Sequence, residues 1–313
     1  MSISSASISL LKSEAGPEIL SALADNDINE IMLNPDGVLW VEHKDQGMIV
    51  IGERTKHKAE SFIRAVAGNQ NLEVNERTPI LETELAIDGS RFEATLPPVT
   101  RNPAFTIRKK AHLIYRFSDY VAAGIATVDQ VHVIRDAIKD RKNILVCGGP
   151  GTGKTTFTNA CIAELVEVCD PTQRIITLED VPELQCSAKN TYSMYTTDEV
   201  DLSRLLRVSL RSRPDRILVG EVRDKSMLDL LKAWNTGSPG GIATVHANGA
   251  EAAIQRCSDL AQEANVPPPI SLIVETVNIV VAIQRIQGKP GRRIKEIVAV
   301  TGHNGVNYQF KKL

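Results

Sequence analysis

Residues 148–155 read Gly-Gly-Pro-Gly-Thr-Gly-Lys-Thr, which places glycines, a lysine and a hydroxyl at the spacing G-x-x-x-x-G-K-[ST]. The chemistry served by that spacing is phosphate binding. Gly148, Gly149, Gly151 and Gly153 let the backbone curl until successive N–H groups face phosphate oxygens, with Pro150 and Thr152 completing the loop. Lys154 then reaches the β and γ phosphates and Thr155 ligates Mg²⁺. A helix expected over 156–168, opening at Thr156, adds its positive end to the anion site. The apolar run NILVCG (143–148) stands in front, so the context is strand, loop, helix, and the expected ligands are ATP and Mg²⁺.

Three further apolar runs, RIITLE (174–179), RILVGE (216–221) and GIATVH (241–246), each end in a polar side chain. Continuous Val, Ile and Leu runs separated by helical stretches read as buried parallel strands. In such sheets ligands sit beyond the carboxyl ends, so Glu179, Glu221 and His246 are expected to face the γ-phosphate. One carboxylate would orient or deprotonate the attacking water, the other would hold the water shell of Mg²⁺, and His246 would sense the phosphate. The alternative for each is structural: a cap or ion pair at a strand end. Glu221 follows Gly220 rather than the Asp of the usual Walker B pair, which leaves Thr155 as the obvious direct protein ligand for Mg²⁺. No N/T-K-x-D base-reading motif is present, which favours ATP over GTP.

Two arginine-rich segments stand outside these runs. In DLSRLLRVSLRSRPDR (201–216), Arg204, Arg207 and Arg211 fall on neighbouring positions of one helical face, suited to a subunit interface or to solvent. Between Arg101 and Arg116 lie Arg108, Lys109, Lys110 and His112 without an acid, a basic bridge between the halves of the chain.

The elements that position these groups divide in two. The first third is mixed: helical spacing over 17–24, a hairpin of INEIMLN and VLWVEH about Asn34-Pro35-Asp36-Gly37, a helix over 56–67, and a second hairpin in LAIDGSRFEATLPP turning at Asp88-Gly89. From about Val121 the texture becomes α/β, with a helix over 127–139 ahead of the four runs. NIVVAIQRI and IVAVTG suggest a closing hairpin. The expected architecture is α/β: a smaller α+β N-terminal domain (1–108), a basic linker (109–121) and a P-loop domain (122–313).

Composition fits a folded protein. The 313 residues suggest two domains, and 42% hydrophobic with 24% charged residues excludes disorder as the dominant state. With 36 basic against 38 acidic residues the net charge is −2, so no global field draws the molecule onto nucleic acid or acidic lipid. The longest apolar stretch, 272–283, contains Glu275 and Asn278 and falls short of the roughly 20 residues of a spanning helix. No export signal is visible, so the cytoplasm is expected. Five cysteines without a CxxC pair suggest neither a disulfide framework nor a thiolate zinc site, and no two of the six histidines stand three or four apart.

Four stretches together, GGPGTGKTT, RIITLEDVPEL, RSRPDRILVGEVRD and TGSPGGIATVHANG, resemble in order and spacing the Walker A, Asp box, atypical Walker B and His box of the secretion ATPase superfamily. The VPEL ending and the opening INEIMLNPDGVLWVE resemble its type IV secretion branch, the TrbB-like conjugal transfer ATPases. The four-cysteine zinc module of pilus-extension and type II relatives is absent from the sequence. The resemblance implies a RecA-like ATPase domain and a homo-hexameric ring, peripheral at the cytoplasmic face of the inner membrane, with ATP between the two domains. It implies Glu179 as catalytic acid, Glu221 as Walker B acid and His246 as the His-box member. It also implies N-terminal arginines that reach the phosphates, here Arg91 and Arg108, with Arg101 as a further candidate. The implied function is an ATP-hydrolysing motor of a conjugative type IV secretion system, powering pilus biogenesis or transfer of a DNA–protein substrate. Its implied partners are inner-membrane secretion-channel and coupling proteins. A type IV pilus assembly or retraction ATPase and a DNA-translocating RecA-like motor remain as alternatives, the latter marked by salt-dependent DNA binding.

Overall fold

The computed structural model describes residues 5–44, 46–109 and 114–313. The chain divides into two compact units, Met1–His112 and Leu113–Leu313. Lys110 and His112 of the expected basic bridge lie outside the described residues.

The first unit runs α1 (Ser5–Ala24), β1 (Ile28–Leu33), β2 (Val38–His43), β3 (Gly47–Glu53), α2 (Lys56–Asn69), β4 (Ile80–Glu84), β5 (Arg91–Thr95) and β6 (Ala104–Arg108). Its antiparallel sheet has the order β3-β2-β1-β6-β5-β4. The helical spacing seen over 17–24 is the second half of α1, which extends back to Ser5 across a break at Gly16. Pro17 there opens a new helical turn, where its missing N–H costs nothing. In α2, Thr55 caps the first turn by accepting from Lys58 N, and Ala59, Phe62, Ile63, Val66 and Ala67 form the buried stripe. Phe62 packs edge-on against Phe92 of β5 and Phe105 of β6, with ring centroids 5.6 and 5.3 Å away. The first hairpin turns as expected, Gly37 N donating to Asn34 O at 2.9 Å. The second is displaced: its first strand is Ile80–Glu84, and residues 85–90 form the connection. There the Asp88 carboxylate accepts from the N–H and hydroxyl of Ser90, a local bond that competes with strand pairing.

The second unit contains α3 (Phe117–Ala122), α4 (Val128–Lys139), β7 (Ile144–Gly148), α5 (Lys154–Val168), β8 (Ile175–Glu179), β9 (Thr191–Tyr195), α6 (Leu202–Leu210) and β10 (Arg216–Val219). It continues through α7 (Ser226–Asn235), β11 (Ile242–His246), α8 (Ala250–Gln262), α9 (Ile270–Thr276), β12 (Ile279–Arg285), β13 (Arg292–His303) and β14 (Tyr308–Lys312). The eight-stranded sheet has the order β14-β13-β12-β7-β11-β10-β8-β9. From β12 to β9 the pairings are parallel, as the apolar runs require, and β13 and β14 close the edge antiparallel. One face buries α6, α7, α8 and α9 through residues such as Leu206, Leu231, Ile254 and Ile273, and the other buries α3, α4 and α5 through Tyr120, Ile134 and Phe157.

The basic segment therefore does not remain a linker to residue 121. Phe117 and Tyr120 of α3 are buried against Phe157, at 6.2 and 5.3 Å between centroids, because two aromatic rings gain more by burial than a solvated bridge would offer.

Candidate active site

Four strand ends stand side by side along the carboxyl edge of the second sheet. β7, β11, β10 and β8 are neighbours in that order, ending in Gly148, His246, Val219 and Glu179, and Gly220 and Glu221 follow Val219 directly. Register aligns them: His246 is the partner of Gly148, and Val219 of Leu178.

The loop leaving β7 turns through Gly151 at φ 62° and Gly153 at φ 93°, conformations that a Cβ disfavours. Gly153 is the N-cap of α5, so the helix starts at Lys154, two residues earlier than the apolar pattern suggests. Thr155 and Thr156 thus lie in the first turn, half-buried, where backbone N–H groups have no intrahelical partner. This fits a polyphosphate.

Lys154 is only 7% exposed, and its ammonium donates to the carbonyls of Gly148 (3.0 Å) and Gly149 (3.2 Å). It also lies 3.1 Å from Nδ1 of His246. An ammonium can only donate, so Nδ1 accepts and the imidazole proton sits on Nε2. That nitrogen is 2.6 Å from Oε1 of Glu221, whose Oε2 accepts from Arg223 Nη2 at 2.8 Å. The bond to Glu221 raises the Arg223 pKa further above its ordinary value, keeping the guanidinium charged. A continuous chain, Lys154–His246–Glu221–Arg223, therefore joins the phosphate loop to the segment after β10.

Glu179 is buried, and its Oε1 accepts from the N–H groups of Glu183 (2.9 Å) and Leu184 (2.7 Å). Those bonds hold its carboxylate in one orientation. Gly220 now has a reason: a Cβ there would stand 3.1 Å from Glu179 Cγ and 3.3 Å from Oε1, so the aspartate of the usual Walker B pair would crowd the neighbouring acid. For Mg²⁺, no group of three His, Cys, Asp or Glu able to hold a metal exists among the described residues. The donor set fits an ion that arrives with phosphates, using the Thr155 hydroxyl and, through water, Glu221.

In the first unit, Arg91 on β5 and Arg108 on β6 are direct cross-strand partners. Like charges in that relation repel, and Arg108 is partly compensated by Glu30, 3.8 Å away. Arg101 is exposed between the two strands. Of the arginine-rich segment, Arg204, Arg207 and Arg211 are exposed on or next to α6, whereas Arg216 is buried and bonded to the carbonyls of Gly240 and Ile138. Three basic groups escaped the motif reading: Arg223, which contacts Glu221, and Arg285 and Arg292, which stand against the loop. The signal for Arg285 existed, since β12 is a parallel neighbour of β7 and must end on the same edge.

Residues 13–304 match the family described as type II/IV secretion system protein. The chain belongs to that family. It is 45% identical over 299 residues to the conjugal transfer protein TrbB of Rhizobium radiobacter, covering 96% of this chain and 92% of that one. It is 29% identical over 319 residues to the type IV secretion system protein VirB11 of Bartonella henselae, covering 87% and 88%. Among solved structures, the VirB11 ATPase of Brucella suis shares 24% identity over 94% of this chain and 95% of that chain, at a TM-score of 0.51. The Legionella pneumophila ATPase DotB shares 18% over 90% and 79%, at 0.67. These likenesses establish the two-domain secretion ATPase fold, a RecA-like P-loop domain preceded by a smaller α+β domain.

Proposed function

We propose that this chain is the ATP-hydrolysing motor of a conjugative type IV secretion system, converting ATP to ADP and phosphate to drive pilus biogenesis or substrate transfer. The Lys154–His246–Glu221–Arg223 chain at the strand edge carries the reading, since it links a phosphate-binding lysine to an acid just past the end of β10. The loop and the first turn of α5 bind the phosphates, Lys154 neutralises charge on the β and γ groups, and Thr155 holds Mg²⁺. Mg²⁺ supplies charge neutralisation when bound. Glu179 orients the attacking water and takes its proton, and Glu221 serves the water shell of the metal. His246 senses the γ-phosphate: when Lys154 turns to the nucleotide, the bond to Nδ1 changes, and with it the hold on Glu221.

Arg91 and Arg108 are the anion-contacting pair of the first unit, with Arg101 in a supporting place. Two guanidiniums opposed across a strand pair are poised for a multivalent anion, which relieves their repulsion. The working form is a homo-hexamer, peripheral at the cytoplasmic face of the inner membrane, engaging secretion-channel and coupling proteins and, through them, the DNA–protein cargo. No helix among the described residues is long and apolar enough to cross a membrane.

The test is phosphate release from ATP by the wild-type chain and by Lys154→Ala. Wild type should turn over ATP and the variant should lose roughly 10²-fold or more in rate. Equal rates would overturn the assignment.

A further inference from the structure

The end of the β12–β13 hairpin reaches the phosphate loop, and two arginines stand there. Arg285 closes β12, Arg292 opens β13, and the two are direct partners in the hairpin register. Arg285 Nε donates to the carbonyl of Gly151 at 2.9 Å. A Cβ added to Gly151 would stand 2.6 Å from Arg285 Nη2, and one added to Gly153 would overlap the guanidinium of Arg292. The two positive-φ glycines of the loop are thus each pressed by one arginine of the same hairpin.

Core packing does not explain this arrangement. Arg285 is exposed, and beside it opens a cleft of about 190 Å³ lined in part by Gly149, Thr152, Asn248 and Lys295. Two like charges facing each other across a hairpin disfavour the pairing, so the position has a cost that a contact elsewhere must offset. The Gly151 carbonyl provides one such contact for Arg285. The hairpin is also rigidly referenced to the loop's own strand, since β12 pairs with β7 through Ala282 and Cys147, immediately before Gly148.

We propose that Arg285 and Arg292 are positioning residues for ATP and ADP binding, holding loop 149–153 in its phosphate-binding curl from the C-terminal hairpin. A loop already curled loses less conformational freedom when the nucleotide arrives. The contribution therefore falls on binding, which is common to ground and transition states, more than on the chemical step. The proposal rests on the reading of 148–155 as the nucleotide site, and the experiment separates the two.

The experiment measures mant-ADP affinity, KM for ATP and kcat for the full chain and for Arg285→Ala, Arg285→Lys and Arg292→Ala. Binding of mant-ADP by the wild type tests the nucleotide site itself, and its absence would remove that reading. Given wild-type binding, Arg285→Ala should raise Kd and KM about tenfold, the effect of one charge-assisted hydrogen bond, with kcat within about twofold. Arg292→Ala should act in the same direction. Arg285→Lys, which keeps a donor for the Gly151 carbonyl, should recover part of the loss. Amide hydrogen exchange in loop 149–153 should be faster in Arg285→Ala than in wild type, with exchange in the strands unchanged. Unaltered Kd and KM in folded Arg285→Ala, or a loss confined to kcat, would overturn the proposal. So would global acceleration of exchange, which marks a structural role.

Discussion

Nδ1 of His246 stands 3.1 Å from the ammonium of Lys154, which puts the imidazole proton on the opposite nitrogen, toward Glu221. A residue that could have been an isolated structural histidine instead stands between Lys154 and Glu221, the acid two residues past the end of β10. If that link transmits, His246 and Glu221 act as a unit. Single changes His246→Ala and Glu221→Gln should each slow phosphate release, and the double variant should be little worse than either. The cycle should return a coupling of about 1–2 kcal/mol. Additive losses would show that the contact carries no information.

Gly220 is where a side chain would strike Glu179. Gly220→Ala should leave the fold and mant-ADP binding intact, because the Glu179 side chain has to give by only a few tenths of an ångström, yet lower kcat several-fold through displacement of the carboxylate. Wild-type turnover in that variant would mean that the orientation of Glu179 is immaterial.

The Arg91–Arg108 pair gives a prediction that separates stability from turnover. Truncating either arginine removes a like-charge contact across β5 and β6 together with an opposite-charge partner, Glu84 of β4 for Arg91 and Glu30 of β1 for Arg108, so thermal stability should change by less than about 1 kcal/mol. Turnover should fall nonetheless, with ADP binding retained. A variant that loses stability and keeps turnover would make the pair structural.

How far the site was legible before the structure depends on which signal each residue carried. The place of Glu179, Glu221 and His246 at the carboxyl edge is legible because Glu179 and His246 end buried parallel strands and Glu221 follows one closely. Arg285 obeyed the same rule but was hidden, since β12 was read only as one arm of a hairpin and not as the parallel neighbour of β7. The first turn of α5 was placed late because a glycine N-cap leaves no capping side chain to read. β9 escaped for a different reason: TYSMY is a short, half-exposed strand with no alternation strong enough to mark it. Residues 85–87 read as the first arm of the second hairpin because Leu85 is apolar and buried, whereas the chain already turns there.

The cysteines supply a pH test. Burial pushes the Cys147 thiol up to about 12 from its ordinary 9.0, and raises Cys161 and Cys257 as well. Above pH 9 the unfolded chain loses thiol protons that the folded chain keeps, so the folded state binds more protons and stability falls as pH rises. Each buried thiol contributes up to about 1.4 kcal/mol per pH unit in that range. Urea midpoints should drop between pH 8 and pH 10.5, and at pH 8 only the half-buried Cys169 and Cys186 should react readily with a thiol reagent. A flat profile with five reactive thiols would contradict the packing of the second unit.

The central claim is that Glu179, fixed at the end of β8, activates water against a phosphate held by the loop at 148–155. Phosphate release by Glu179→Gln at saturating ATP tests it most directly. The amide keeps the shape and loses the basic oxygen, so turnover should fall by about 10²-fold or more while ATP remains bound. Turnover within twofold of wild type would contradict the claim and move the catalytic role to Glu221.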